Sequence, residues 1–281
     1  MSNGVSEIEN KSNAKGVLNT EGIGKIIAVI KETDGKKEKK KHHPSQEVYV
    51  CDNKEGVSLR HPETEIHLQD GYKFQVAVNK NTERQIGYVC GQSGAGKSWF
   101  CKQFINEYHS AYPSRAVYIV SSLADDPTLD TLKYIKRIKL TEEFIADPIK
   151  CEDIEDSLIL FDDTDCISVR RMRDAVNSLR DSVLQTGRHF KISCLITSHS
   201  CCNGPWTKLI LSECNWVTIF LQGLGGRSVK YLLENYLGLD KHQIKKIKQI
   251  ESRAITILKT YPTTVVAEQV CYLLKNDEDG K

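Results

Sequence analysis

Several things are scarce or missing in this 281-residue sequence. Its 39 lysines and arginines nearly cancel 37 aspartates and glutamates, leaving a net charge of +2. Such a balance supplies no global attraction for nucleic acid or membrane, so a polyanion has to be met by a local patch. No apolar run approaches the roughly 20 residues that cross a bilayer. The polar opening MSNGVSEIENKSNAKG lacks the apolar centre of a signal peptide. A soluble chain that is not secreted is expected. The ten cysteines include no C-x-x-C pair, which argues against a disulfide framework and a zinc site. Cys90, Cys194 and Cys271 fall inside apolar, strand-like runs and read as small core residues. The adjacent Cys201 and Cys202 have no histidine or cysteine partner at ligand spacing. Internal repeats are absent, and the one low-complexity stretch is a lysine run. What is present, 40% hydrophobic and 27% charged residues, suffices for a sizeable core in one large domain, or one with a small appendage.

Along the chain, residues 1–22 are polar without an apolar period and are expected to form a disordered tail. Residues 23–85 read as a small β-rich region. GKIIAVIK at 24–31 and the short segments EVYV, EIHL and KFQVAV are β-branched or aromatic and are separated by Asn, Gly, Asp and Pro. Between them lies the basic loop DGKKEKKKHHP, with Lys36, Lys37, Lys39, Lys40, Lys41, His42 and His43. It reads either as a solvated hairpin tip or as a phosphate-contacting patch or sorting signal. From residue 86 to 281 short apolar runs alternate with helical patterns. QIGYVCG, AVYIVSS, LILFDD, ISCLITS and WVTIFL are strands. Lys97 to Ala111 is a helix, Val169 to Gln185 is another with Met172, Val176, Leu179 and Val183 on one face, and WTKLILSE is a third. Two more helices follow to about residue 250, and AITILKT with TTVVAEQVCYLL reads as a terminal hairpin. The alternation predicts an α/β fold, a mostly parallel sheet with helices on both faces.

Gly91-Gln92-Ser93-Gly94-Ala95-Gly96-Lys97-Ser98 matches G-x-x-x-x-G-K-[ST], after a strand and before a helix, where a P-loop must stand. The glycines let the backbone wrap so that N–H groups and the helix N-terminus face phosphates. Lys97 supplies charge to the β- and γ-phosphates of ATP, and Ser98 offers its hydroxyl to Mg²⁺. Downstream, Leu158-Ile159-Leu160-Phe161-Asp162-Asp163 is an apolar strand ending in two acids. Asp162 reads as the carboxylate of the metal shell and Asp163 as the base or water-positioning group, with Asp165 as an alternative to Asp163. A third cluster runs from Gly187-Arg188 through the strand ending at Thr197 to Ser198-His199. An arginine before a strand and polar groups at its end suit an ATPase whose subunits complete one another's sites. Arg188 would serve a neighbour's transition state, and Ser198 and His199 would sense the γ-phosphate from within. An exposed surface arginine and a polar strand end are the plainer readings.

Taken together, GQSGAGKS, LILFDD and TGRHFKISCLITSH resemble the FtsK–HerA superfamily of P-loop ATPases, and within it the poxvirus-like genome-packaging ATPases of large DNA viruses. The likeness covers residues 86 to about 222. It implies a RecA/ASCE-like P-loop NTPase fold and ATP-driven translocation of double-stranded DNA, without sequence preference, by a homo-oligomeric ring with an arginine finger at Arg188. It also implies capsid-vertex or portal components as partners, and a place in the host cytoplasm, the viral factory or the virion. Two departures stand out, since many relatives carry glutamate at Asp163 and glutamine at His199.

Other readings stay open at this point: another P-loop ATPase or helicase, a small-molecule kinase or a nucleotide switch. The kinase would use Arg170, Arg171, Arg173 and Arg180 as a phosphate-gripping lid, although a solvated helix face accounts for them too. Against the switch, no N-K-x-D motif follows the acidic strand. For DNA the candidates are the lysine loop at 36–41 and a helix bearing Lys241, Lys245, Lys246 and Lys248, as phosphate contacts only.

Overall fold

The computed structural model describes residues 16–33, 46–52, 59–80 and 84–274; the lysine-rich loop at 36–43 falls outside the described residues. Four short strands make an antiparallel sheet in the N-terminal region: β1 (Val17–Asn19), β2 (Lys25–Glu32), β3 (Gln46–Cys51) and β5 (Tyr72–Val76), in the order β1-β3-β2-β5. The expected disordered tail to residue 22 therefore needs correction over its last part. Val17 to Asn19 pair antiparallel with Tyr49 to Cys51. Leu18 is fully buried, and three residues are too few to show a period from sequence.

The remaining strand of this region, β4 (Glu65–His67), belongs elsewhere. It pairs with the last strand of a ten-stranded sheet, so the chain crosses between the two sheets within residues 65–76. In the large sheet, β6 (Ile86–Cys90), β7 (Ala116–Ser121), β8 (Ile135–Arg137), β9 (Ser157–Asp162), β10 (Ser193–Ser198) and β11 (Trp216–Ile219) run parallel in the order β11-β6-β10-β9-β7-β8. The expected terminal hairpin is a meander of β12 (Ile255–Leu258), β13 (Thr264–Ala267) and β14 (Val270–Leu273), which extends the sheet antiparallel from β11. This is a P-loop NTPase fold with a small antiparallel sheet at its N-terminal side.

Strand parity divides the core between the two faces. On β9 every residue is buried, with Ile159 and Phe161 in one apolar cluster and Leu158 and Leu160 in the other. The first cluster is covered by α3 (Arg170–Thr186) through Met172, Val176, Leu179 and Val183, and by α4 (Gly204–Glu213) through Ile210 and Leu211. The second is covered by α1 (Lys97–Ala111) through Phe104, Ile105 and Tyr108. Leu18, Ile27, Val48, Phe74 and Val76 of the N-terminal sheet join that same cluster. Each fully buried aliphatic or aromatic side chain contributes about 1.5–3 kcal/mol, so this small sheet is held by shared core. Smaller helices, α2 (Glu142–Ala146), α5 (Gly226–Tyr231) and α6 (Lys241–Lys248), complete the covering. Cys90, Cys194 and Cys271 are buried in the core and burial raises their thiols. No helix among the described residues is long and apolar enough to cross a membrane.

Candidate functional site

The loop from Gly91 to Ser98 joins β6 to α1 at the carboxyl end of the parallel strands, where open α/β sheets bind ligands. Gly96, at the N-cap of α1, has φ +114°, and α1 begins with no side-chain cap and no acid in its first turn. A Cβ on Gly96 would also lie 3.3 Å from both the Arg253 guanidinium and the Phe220 ring. Only glycine takes that turn cheaply, and the uncapped N–H groups of the helix present partial positive charge to an anion. Gln92 donates its side-chain amide to the Gly223 carbonyl, tying the loop to the segment after β11. Lys97 is 6% exposed. Its ammonium donates to the Gly91 carbonyl at 3.0 Å and lies 3.5 Å from an Asp163 oxygen and 3.3 Å from His199 Nδ1.

The two acids stand at the end of β9, with β10 between them and β6. Asp162 is 3% exposed, and its two oxygens accept hydroxyls from Thr197 at 2.9 Å and Ser121 at 3.1 Å. Burial, then the charge of Asp163, raises the Asp162 carboxyl, with the two hydroxyls opposing the shift. Asp163 sits in the left-handed region at φ +45°, which aspartate tolerates better than most residues. That turn sends its side chain back over the P-loop. One oxygen meets Lys97 and the other lies 3.1 Å from His199 Nε2.

Thr197, which the sequence marks only as the end of a strand, sits at the centre. Its hydroxyl is 2.9 Å from an Asp162 oxygen and 3.0 Å from an Asp163 oxygen, and it accepts the Asp163 backbone N–H at 2.8 Å. Ser198, which was expected to sense phosphate, is fully buried and donates to Asp165 at 2.7 Å. Parity explains the difference. Successive side chains on a strand point to opposite faces, so Thr197 and His199 share the side of the acids while Ser198 turns away. The same contact occupies Asp165, and Asp163 holds the place beside Lys97.

Asp126 is a second residue the sequence did not disclose. It lies in the polar stretch after β7, is 9% exposed, and accepts the Ser98 hydroxyl at 3.0 Å. Its other oxygen accepts the backbone N–H groups of Thr128 and Leu129 at 2.7 and 2.9 Å. The carboxylate is thereby fixed toward Ser98. An acid following the strand after the P-loop helix is the sole sequence signal, and this stretch contains several.

Arg188 lies at the opposite end of β10. It is exposed, on a turn after α3, and at about 3.3 Å per residue the six residues of β10 separate it from the P-loop end by roughly 20 Å. Its neighbour Gly187 is required by close approach, because a Cβ there would meet the Val183 carbonyl at 2.4 Å. Arg180, one of the four arginines of the lid reading, is buried, bonds Asn177 and Asp181, and stacks over Trp206 at 4.8 Å. It serves the packing of α3 on α4. On α6, Lys241, Lys245 and Lys248 are exposed, while Lys246 pairs with Glu65 at 2.8 Å and covers the Tyr272 ring at 3.9 Å.

An AAA domain model matches residues 80–189. The chain is 38% identical over 188 residues to the uncharacterized protein V3 of Sputnik virophage, a match covering 66% of this chain and 75% of that protein. Among solved structures, it is similar to the DNA-packaging ATPase B204 from Sulfolobus turreted icosahedral virus, with TM-score 0.45 and 10% identity over 66% of this chain and 98% of that one. It is similar also to the cytoplasmic domain of the Thermomonospora curvata type VII secretion ATPase EccC, with TM-score 0.49 and 12% identity over 76% of this chain and 29% of that one.

Proposed function

We propose that this chain, a viral packaging-type P-loop ATPase and a relative of protein V3 of Sputnik virophage, is a DNA translocase that loads a double-stranded viral genome into its capsid. The observation that carries the reading is the division of labour along β10. Its carboxyl end inserts Thr197 and His199 between the P-loop and the acids, and its amino end holds Arg188 exposed and out of reach of the same P-loop. One subunit thus offers a cradle, a base and a sensor, and its finger faces outward, as a ring of identical subunits requires.

In this reading Gly91, Gln92, Ser93, Gly94, Ala95, Gly96, Lys97 and Ser98 hold the phosphates, with Lys97 exchanging its carbonyl acceptors for β- and γ-oxygens. The oxygens of Ser98, Asp162 and Asp126 suit Mg²⁺, a hard cation that takes one or two carboxylates and fills its shell with phosphate and water. When bound, that ion would neutralise charge developing on the phosphates. Asp163 orients the attacking water. The single proton of Thr197 bonds one of its two carboxylates at a time, which makes Thr197 a positioning residue that couples the metal-side acid to the water-side acid. His199 bridges Lys97 and Asp163 and reports phosphate through both. Ser198 contributes indirectly by holding Asp165. Arg188 of a neighbouring subunit stabilises the transition state in trans.

DNA contact is assigned to the loop at 36–41 and to Lys241, Lys245 and Lys248, as phosphate contacts without base readout. Capsid-vertex or portal components are the protein partners, and the host cytoplasm or viral factory is the place of action. The test is ATP hydrolysis with and without double-stranded DNA at two salt concentrations. DNA should stimulate turnover, and the stimulation should fall as salt rises. Turnover indifferent to DNA, at a rate per subunit independent of protein concentration, would return the chain to a general P-loop ATPase.

A further inference from the structure

The phosphate cradle has two ends, and the cluster of Lys97, Asp163 and His199 occupies one. Where Lys97, Asp163 and His199 converge, the γ-phosphate and its water must lie, so the sugar and base have to leave from the other end, past Gly96. There the P-loop opens into a cavity of about 250 Å³. Phe100 and Phe220 form its apolar wall, edge to face at 6.5 Å. Trp99, the residue after the P-loop serine, stands at the rim with 51% of its surface exposed. Arg253 closes the side nearest the phosphates, donating to the Ala95 carbonyl at 3.1 Å. The far wall comes from the N-terminal sheet, as Phe74, Gln75 and Val76 of β5.

One feature of this cavity is unexplained by packing. The side-chain amide nitrogen of Gln75 is buried and has no hydrogen-bond partner. Leaving such a donor unpaired costs about 1–3 kcal/mol, a penalty that a turn of the side chain onto a ligand acceptor in the cavity would remove. A carboxamide presents a donor and an acceptor side by side. That pair complements the N6/N7 edge of adenine, whereas the corresponding O6/N7 edge of guanine offers two acceptors. Aromatic walls and a guanidinium suit the flat faces of a purine.

Resting on the P-loop reading above, we propose that this cavity is the base seat of the nucleotide site and that the N-terminal sheet, through Gln75 on β5, selects adenine. The small sheet is then part of the ATP site. Nucleotide occupancy is communicated to it directly, through the strand that packs both on the core beneath α1 and against the base.

Binding to the full chain, read by Trp99 fluorescence and by calorimetry, tests this with three probes: ATP, GTP and inorganic tripolyphosphate. ATP should bind at least about tenfold tighter than GTP, a discrimination expected of one bidentate amide–base pair. Both nucleotides should alter Trp99 emission while tripolyphosphate does not, and Trp99→Phe should remove that signal. Gln75→Leu should bring ATP and GTP to within about twofold of each other. Ala254→Phe, which places a ring in the cavity, should weaken ATP more than tenfold and leave tripolyphosphate unchanged. Tripolyphosphate binding doubles as the check that each variant keeps a folded P-loop, and a folded Gln75→Leu variant that still prefers ATP about tenfold would overturn the role of Gln75. Equal affinities for ATP and GTP in the native chain, or undiminished ATP affinity in a folded Ala254→Phe variant, would overturn the assignment. A native chain that binds neither ATP nor tripolyphosphate would instead refute the P-loop reading on which it rests.

Discussion

Strand β10 ends differently on its two sides. At its carboxyl end, Thr197 and His199 enter a closed network in which Asp162, Asp163, Lys97 and Ser121 all have partners within 3.5 Å. At its amino end, Arg188 stands on an exposed turn fixed by backbone contacts, including the bond from the Lys191 N–H to the Arg188 carbonyl at 3.2 Å. The charges at the carboxyl end can be buried because each is paired within the chain, since an unpaired buried charge is expensive. Arg188 has no such partner among the described side chains and stands in water. In the proposed mechanism, the contrast separates groups assigned to work within a subunit from the one assigned to work between subunits.

The largest blow to the cis side is Lys97→Ala. Hydrolysis should be abolished and nucleotide binding weakened, since no other cation among the described residues lies beside both the P-loop carbonyls and Asp163. Full activity in steady-state assays would remove the P-loop from the mechanism. On the trans side, Arg188→Ala should bind ATP nearly as the native chain does and hydrolyse it roughly 10³ to 10⁵ more slowly, the range for arginine fingers. Mixing it with Asp163→Asn is the sharper measurement. If the proposed ring forms, some mixed interfaces pair an intact finger with an intact base, and activity should recover. A mixture no better than its parts would place Arg188 outside the reaction.

Thr197→Val probes the hinge between the acids. It leaves oxygens of Asp162 and Asp163 without their shared donor, at a cost of about 1–3 kcal/mol, and turnover should fall while the KM for ATP changes little. Thr197→Ser should restore both; if it does not, the hydroxyl is not what matters. The smallest effect is expected far from either end of β10. Lys246→Met breaks the exposed tie between α6 and β4 and should cost under about 1 kcal/mol in denaturant melts. Burial works to raise the Glu65 carboxyl, but the Lys246 hydrogen bond and charge, with His67, lower it overall from 4.5. A depressed carboxyl stabilises above its unfolded value and loses that contribution as pH falls through the folded value. The difference between native and variant should therefore be full at neutral pH and vanish as the pH drops below 4.5; a difference independent of pH would assign it to packing on Tyr272.

Much of the site was legible because its parts are contiguous. A P-loop spends eight consecutive residues on one function, so the run from Gly91 to Ser98 and the helix from Lys97 to Ala111 could be bounded from sequence alone. The acids were legible because an apolar strand ending in two aspartates is itself a local pattern. At the end of β10, His199 lies beside Lys97 and Asp163 as its position suggests, whereas Ser198 turns to Asp165. Ser198 and His199 attract attention by chemistry, yet the strand's alternation gives the inner position to Thr197.

The sequence by itself determined the phosphate cradle, the acidic strand and the alternation that makes the sheet parallel, because each is written in neighbouring residues and short periods. Only the tertiary structure decided that Asp126 fixes Ser98, that Arg180 is spent on Trp206, and that β4 and β5, a few residues apart, serve different sheets. Such pairings join residues far apart in the chain, as His67 of β4 and Val270 of β14 do. A contact of that kind leaves no local period. It is selected only when the two faces of the sheet are covered together and each buried polar group must find a partner in the space that remains.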